Sequence, residues 1–237
     1  CRLKSDKRII RCCLPMHTFG AIGHISEINR ICEKHNINVI EDAAEALGSF
    51  QKGKHAGLFG SMGALSFNGN KIITTGGGGA ILCATKDYEK IKHLTTTAKV
   101  PHQYEYSHDR LGFNYRLPNL NAALGVGQMS QLQEILNSKK ILTDKYQKIF
   151  EDSEYVLFNL NKHCQSNNWL NTIICKDLAA RDNFIRIAIK NNVLVRPAWK
   201  LLNEQKMYLN CHSDGLKFSK IAADLIVNLP SSMTLPN

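Results

Sequence analysis

Three residues of this chain combine a reactive side chain with a position where the sequence pattern ends a strand. Asp42 closes the apolar run "NVIED", Ser66 lies at the end of "GALSF", and Lys71 follows inside "SFNGNKIITTGGGG", Ser66 to Gly79. A carboxylate walled by apolar neighbours can hold a positively charged ring nitrogen in a low-dielectric site. A lysine taken out of water keeps its amine neutral more readily, and a neutral amine attacks a carbonyl. A serine hydroxyl at a strand end can donate to a phosphate. Each residue also has a plainer role: Asp42 as the cap of the next turn, and Lys71 as a solvated surface lysine. Asn68-Gly69 supplies a tight turn between Ser66 and Lys71. The four glycines Gly76 to Gly79 read as a shaped corner into the next strand. They are no P-loop, because the Gly-Lys-Ser/Thr ending is missing.

These residues need elements to place them. "RIIRCCLPMHTFG", "HISEINRICEKHN" and "INVIEDAAEALGS" read as strand, helix, strand, with Ile25, Ile28, Ile31 and Cys32 at helical spacing. That is a βαβ unit, which implies a parallel sheet with right-handed crossovers. Ligands of such sheets gather at the carboxyl ends of strands, where both His17 and Asp42 fall. "GALSF" and "GGGGAILCAT" add strands, and a helix is expected over 86–97. "AKVPHQYEYSHDRLGFNYRLPN" is a long loop rich in aromatics and histidine, of a length that is usually functional or disordered. From Asn119 a long helical stretch carries the chain onward. Beyond Ser153 come strand-like "YVLFNL" and "NWLNTIIC", a helix through "ARDNFIRIAIKNN", and "VLVRPAW". The expectation is an α/β large domain with a mainly parallel sheet over 1–135, then a linking helix and a smaller α+β domain over 136–237.

Composition narrows the function classes. The chain has 237 residues, 43% hydrophobic and 21% charged, as ordinary soluble globular proteins do. No apolar run is long enough to span a bilayer, and the start carries no signal-peptide pattern. The formal charge is +10, but Lys4, Lys7, Lys52, Lys54, Lys139 and Lys140 are scattered, with no aromatic-interleaved patch. Charge alone does not decide, since attraction for an anionic small substrate fits it equally well, and the scatter makes a nucleic-acid surface the least favoured reading. The eight cysteines form no CxxC and no paired metal spacing. Cys12 and Cys13, adjacent in an apolar strand, read as buried thiols, and the whole as a reduced, cytoplasmic protein without a metal. Taken together, Asp42, Ser66 and Lys71 are the parts of a pyridoxal 5'-phosphate (PLP) site: a lysine for the aldehyde, an acid for the ring nitrogen, a hydroxyl for the phosphate.

The ordered motifs "EDAAEALGS", "GALSFNGNKIITTGGGGAIL" and "GFNYRLPNLNAALGVGQMSQL" resemble the sugar aminotransferases of the DegT/DnrJ/EryC1/StrS family. The resemblance runs from about Ile9 to the end and implies the aspartate-aminotransferase fold (PLP fold type I). "HQYEYSHDRLGFNYRLPNLNAALG" and "VRPAW" resemble most the branch that aminates UDP-linked 4-keto-6-deoxy-N-acetyl sugars of the legionaminic type. Carried over by residue, the resemblance implies that Lys71 forms the Schiff base and shuttles the proton, Asp42 pairs with the pyridine nitrogen, and Ser66 binds the phosphate. It implies that Asn114 reaches the phosphate of the neighbouring subunit's cofactor, so the partners are a second copy in a homodimer, a nucleotide sugar, and glutamate as amino donor. Arg116, His102, Tyr104, Tyr106 and His108 become candidate substrate contacts from the long loop, and Arg196 and Trp199 from the small domain. A structural salt bridge is an equal reading of Arg116, and packed or exposed aromatics an equal reading of the loop. His17 matches a His-x-x-Gly feature and is read as stabilising a turn.

Glu45 departs from the glutamine common in the family near the cofactor's 3-hydroxyl. It is expected to be protonated, displaced or paired with a cation. Lys71 itself argues against the family's dehydratases, which carry histidine there. The resemblance also implies a preceding segment with a phosphate loop and a ring-stacking aromatic, neither found before Asp42. A catalytically incomplete remnant that keeps the fold and dimer surface is accordingly the alternative reading.

Overall fold

The computed structural model describes residues 1–4, 6–158 and 164–233. Along the chain the elements are β1 (Cys12–Cys13), α1 (Ile25–Lys34), β2 (Asn38–Asp42), β3 (Phe50–Gln51), β4 (Lys54–His55), β5 (Met62–Ser66), β6 (Gly79–Cys83) and α2 (Thr85–Thr95). Then follow β7 (Lys99–Val100), β8 (Ser107–His108), α3 (Asn119–Ser130), α4 (Leu132–Phe150), β9 (Val156–Leu157), β10 (Cys164–Gln165) and β11 (Thr172–Ile174). The last are α5 (Leu178–Lys190), β12 (Arg196–Pro197), α6 (Lys217–Leu225) and β13 (Ile226–Asn228). Of the strand expected in "YVLFNL", Asn159 and Leu160 lie outside the described residues.

The site-bearing sheet has the order β1-β2-β5-β6. β1 and β5 both run parallel to β2, as the βαβ reading requires, while β6 returns antiparallel to β5 from Met62↔Cys83 to Ser66↔Gly79. The stretch holding Lys71 is therefore the loop of a long hairpin. On α1, Ile25 and Cys32 are buried and Ile28 packs beside them, against Val39, Ala43, Ala46 and Ala56. Ile31 is left exposed, because its position falls at the rim of that stripe. Cys12 is exposed and Cys13 half-buried, which corrects the reading of both as buried thiols: β1 is an edge strand, and its residues alternate faces.

The long helical stretch breaks at Gln131, whose φ of −100° and ψ of 0° leave the helical region, giving α3 and α4 in place of one helix. The C-terminal part builds an antiparallel sheet, β12-β13-β11-β9, over a core of Leu157, Ile173, Cys175, Val195, Val227 and Leu229. A third cluster joins the two parts: Ile72 and Ile73, next to Lys71, pack with Ile135 of α4 and with Trp169. Burying an isoleucine contributes roughly 1.5–3 kcal/mol, so this pair anchors the hairpin loop from its middle.

Candidate active site

The hairpin loop leaves β5 at Ser66 and turns at once. The Lys71 N–H donates to the Asn68 carbonyl at 3.0 Å, closing the turn expected at Asn68-Gly69. Lys71 is then followed by the two buried isoleucines, which set the direction of its side chain. The loop closes at the glycines. Gly78 holds φ of +105°, and a Cβ there would stand 2.7 Å from Leu117 Cδ1. Only glycine takes that conformation without strain. The corner is tied to α3 by Asn121, whose side-chain amide donates to the Thr75 carbonyl. The glycines thus pack toward Leu117 and α3, and Lys71 lies at the far end of the loop.

The Lys71 side chain is only 14% exposed. Its ammonium sits 3.8 Å from Glu45 Oε1 and 4.2 Å from the centre of the Trp169 ring. Of the three fates expected for Glu45, the structure shows pairing with a cation. The other carboxylate oxygen of Glu45 accepts the Phe19 N–H at 2.8 Å. Burial raises the Glu45 carboxyl above its usual range, against the pull of the Phe19 N–H and of Lys71, while the nearby Asp42 pushes the same way as burial. Glu45 thus lies within electrostatic reach of both Lys71 and Asp42.

Asp42 ends β2, half-buried, in register with Ala64 of β5. Its Oδ1 accepts the Ala44 N–H at 3.1 Å, so the plain capping role is real. Its Oδ2 makes no hydrogen bond among the described residues and is available to a ligand. Ser66 lies two residues beyond Ala64 and shares that sheet face. Its Oγ accepts the Asn68 N–H at 3.3 Å, while its own proton goes to no acceptor among the described residues. A lysine amine, a free carboxylate oxygen as acceptor and a free hydroxyl proton as donor are groups that PLP engages, so the residues present fit that part of it.

One residue before Asp42 lies a buried hydrogen-bonded pair, Glu41 with His17, and the sequence reading assigned His17 only a turn. Glu41 is fully buried and binds His17 Nε2 at 2.8 Å. Glu41 also accepts the N–H of Gly57 at 2.8 Å and of Gly60 at 2.6 Å. Burial pushes this carboxyl up, yet the His17 ring and the two N–H groups together hold it below its ordinary value. His17 therefore does more than stabilise a turn, for its ring bonds a buried carboxyl group one residue before Asp42.

The other expected site residues divide into two groups. Trp199 comes to this region, stacked on Phe19 (5.4 Å between ring centres) and on Trp169 (6.2 Å), with about half of it exposed. The loop residues do not come to Lys71. Tyr104 packs edge-on against His102, Tyr106 lies under the Lys99 ammonium, and His108 Nδ1 bonds the Thr97 carbonyl at 2.7 Å, all exposed. Asn114 and Arg116 line a largely apolar cavity of about 710 Å³ with Ala64, Ile81, Tyr88 and Leu117. Neither Arg116 nor Arg196 forms an ion pair among the described residues, so the salt-bridge reading of Arg116 finds no support there.

Trp169 was missed as a site residue. Its one signal was an isolated tryptophan in "NNWL", just before β11, in a segment read as strand.

Comparison with known proteins assigns the family and the fold. The model of the DegT/DnrJ/EryC1/StrS aminotransferase family matches residues 6–237. The GDP-perosamine synthase of Escherichia coli O157:H7 is 30% identical over 100% of this chain and 64% of its own length. The UDP-4-amino-4,6-dideoxy-N-acetyl-beta-L-altrosamine transaminase of Campylobacter jejuni (strain 81-176) is 28% identical over 89% of this chain and 63% of its own. The chain thus spans less than two thirds of either protein. Among solved structures, the PLP form of Spr1654 from Streptococcus pneumoniae superposes with a TM-score of 0.84 at 20% identity, covering 96% of this chain and 64% of that one. The fold is accordingly that of these aminotransferases.

Proposed function

The chain belongs to the DegT/DnrJ/EryC1/StrS aminotransferase family, and from that premise we propose that it carries the reacting lysine of a PLP-dependent sugar aminotransferase. The reaction moves an amino group from glutamate to a nucleotide-linked 4-keto-6-deoxy sugar. The observation that carries the reading is the Lys71 amine, almost out of water and 3.8 Å from Glu45, on the hairpin loop that leaves the strand beside Asp42. Both curated relatives are named for making or aminating nucleotide-linked sugars, which supports the substrate class.

When bound, the cofactor supplies a ring that accepts the electron pair left when a proton is taken from carbon. The residues of this chain do the rest. Asp42 Oδ2 holds a proton on the ring nitrogen, where apolar walls strengthen the charge pairing. Ser66 Oγ donates to a phosphate oxygen. The amine of Lys71, when free, takes and returns the proton at Nζ. Glu45 stays beside Lys71 as its counter-ion, so its charge does not act on the cofactor alone. Asn114 serves the site of a second copy. The exposed Leu111, Phe113, Tyr115, Leu120 and Val126 around and beyond it form the apolar surface on which that homodimer is built. His102, Tyr104, Arg116 and Arg196 are exposed and cationic or aromatic, suited to an anionic sugar nucleotide. Residues 1–135 and 136–237 form the cofactor and small domains of this scheme. All eight cysteines are free thiols, in keeping with action in the cytoplasm.

The test is a visible absorption spectrum of the chain with pyridoxal phosphate, beside Lys71→Ala. A band present in the wild type, absent in the variant and lost on adding glutamate is the expected result. A spectrum that does not depend on Lys71 refutes the assignment of the lysine.

A further inference from the structure

The Trp169 indole touches the hairpin loop twice. Its Nε1–H donates to the Asn70 carbonyl at 2.7 Å, one residue before Lys71, and its ring face lies 4.2 Å under the Lys71 ammonium. The indole cannot swing away easily. Its own backbone N–H donates to the buried Asn167 Oδ1 at 2.9 Å, and Trp199 stacks against it. Glu45 also stands 3.8 Å from the ammonium, too far for a good hydrogen bond but close enough for charge attraction. A cation within about 6 Å of an aromatic centre is attracted to the ring, most strongly by tryptophan, and more so when water is excluded.

We propose that Trp169 is a positioning residue for Lys71: its ring and the Glu45 carboxylate form a resting place that keeps the free ε-ammonium inside the site whenever the lysine is not bonded to the cofactor. The functional meaning of the resting place depends on the cofactor reading above, but the contact itself does not. A lysine that leaves and rejoins a cofactor during a cycle needs somewhere to wait, and reaching solvent would cost orientation on its return. The competing explanation is that Trp169 only fills the cluster of Ile72, Ile73 and Ile135.

The chain has two tryptophans, Trp169 and Trp199, so indole spectroscopy reads this site directly and without cofactor. In a Trp199→Phe background, Lys71→Met is expected to shift the ultraviolet absorption and emission of the remaining indole, because the cation leaves its face. An unchanged spectrum overturns the proposal. The second measurement is competitive trace acetylation, with Lys71 mapped by mass spectrometry and normalised to the exposed Lys52 and Lys86. Labelling of Lys71 is expected to rise about tenfold in Trp169→Leu and to stay within about threefold of wild type in Trp169→Phe, which keeps a ring face. Equal labelling in wild type and Trp169→Leu, or an equal rise in both variants, overturns it. Should Trp169→Leu fail to fold, the spectral comparison decides alone. Since neither measurement contains cofactor, failure here leaves the Lys71-dependent visible band standing. Failure of that band likewise leaves the resting place standing.

Discussion

Lys139 offers a sharp test of the energetics around the site. It lies on α4, only 6% exposed, and its ammonium donates to the Ser231 carbonyl at 2.5 Å. No carboxylate pairs with it among the described residues, and burial lowers its pKa from the ordinary 10.5 to about 8. A drop of that size corresponds to about 3 kcal/mol of penalty on the charged form. The unfolded chain binds this proton more tightly than the folded one, so stability rises with pH between the folded and unfolded values. Below about pH 8 the folded chain bears the full penalty, and above about pH 10.5 it bears none. Lys139→Met removes the charge at similar length and leaves the Ser231 carbonyl unbonded, a loss of about 1–2 kcal/mol. The variant is therefore expected to be more stable than wild type by about 1–2 kcal/mol near neutral pH. That advantage reverses sign as the pH approaches about 10. Urea unfolding of both proteins across this range measures the difference directly, and the other titrating groups cancel between them. Parallel stability curves would refute the reasoning, since they would mean that Lys139 keeps its ordinary proton affinity in the fold.

Two further outcomes follow from buried polar groups near the lysine. Glu41→Ala leaves His17 and two N–H groups without their acceptor, and breaking such a buried pair costs about 3–5 kcal/mol. Because the Glu41 carboxyl lies below its ordinary value of 4.5, its contribution is present at neutral pH, and the gap between wild type and variant in urea unfolding should shrink as the pH falls through that range. Asn167→Ala unbonds the carbonyls of Glu45 and Leu47 and the N–H of Trp169, so a loss of about 2–4 kcal/mol is expected by the same method. A loss under about 1 kcal/mol would mean that water replaces the amide there.

The parts of the fold that were legible in the sequence are those built from local pattern. The strand ending at Asp42 shows alternating burial, with Val39 and Glu41 inward, and the turn at Asn68 closes as its residues suggest. The antiparallel direction of β6 was not legible. A short apolar strand carries no mark of which way it pairs, and the glycine loop before it is long enough for either. The role of Glu41 could have been read from phase alone. An acid at the inward position of a buried strand must have a partner, and His17 precedes it at the neighbouring strand end. Trp169 could not have been found this way. Its bond to Asn70 joins residues 99 positions apart, and no periodicity reports a contact between two loops.

That distance says how the site is held. Lys71 stands on a hairpin loop of the first sheet, but Trp169, one of the groups that hold it, comes from a segment that re-enters this region from the C-terminal part. There β10 pairs with β3, and Asn167 fits between the loops that carry Phe19 and Glu45. The Asn167 N–H donates to Ser49 Oγ at 3.0 Å, and Ser49 in turn donates to the Gly20 carbonyl at 2.5 Å. Gly20 itself holds φ of +87°, and any side chain there would collide with the Asn167 amide. Glu45 and Trp169 thus rest on the buried Asn167, whereas the aromatic loop with His102 and Tyr104 is exposed and bonded mostly to itself. Chemistry that must be held to fractions of an ångström needs the first kind of support, while recognition of varied ligands tolerates the second. Trp199, stacked on both Phe19 and Trp169, joins these supporting rings while about half of it stays exposed.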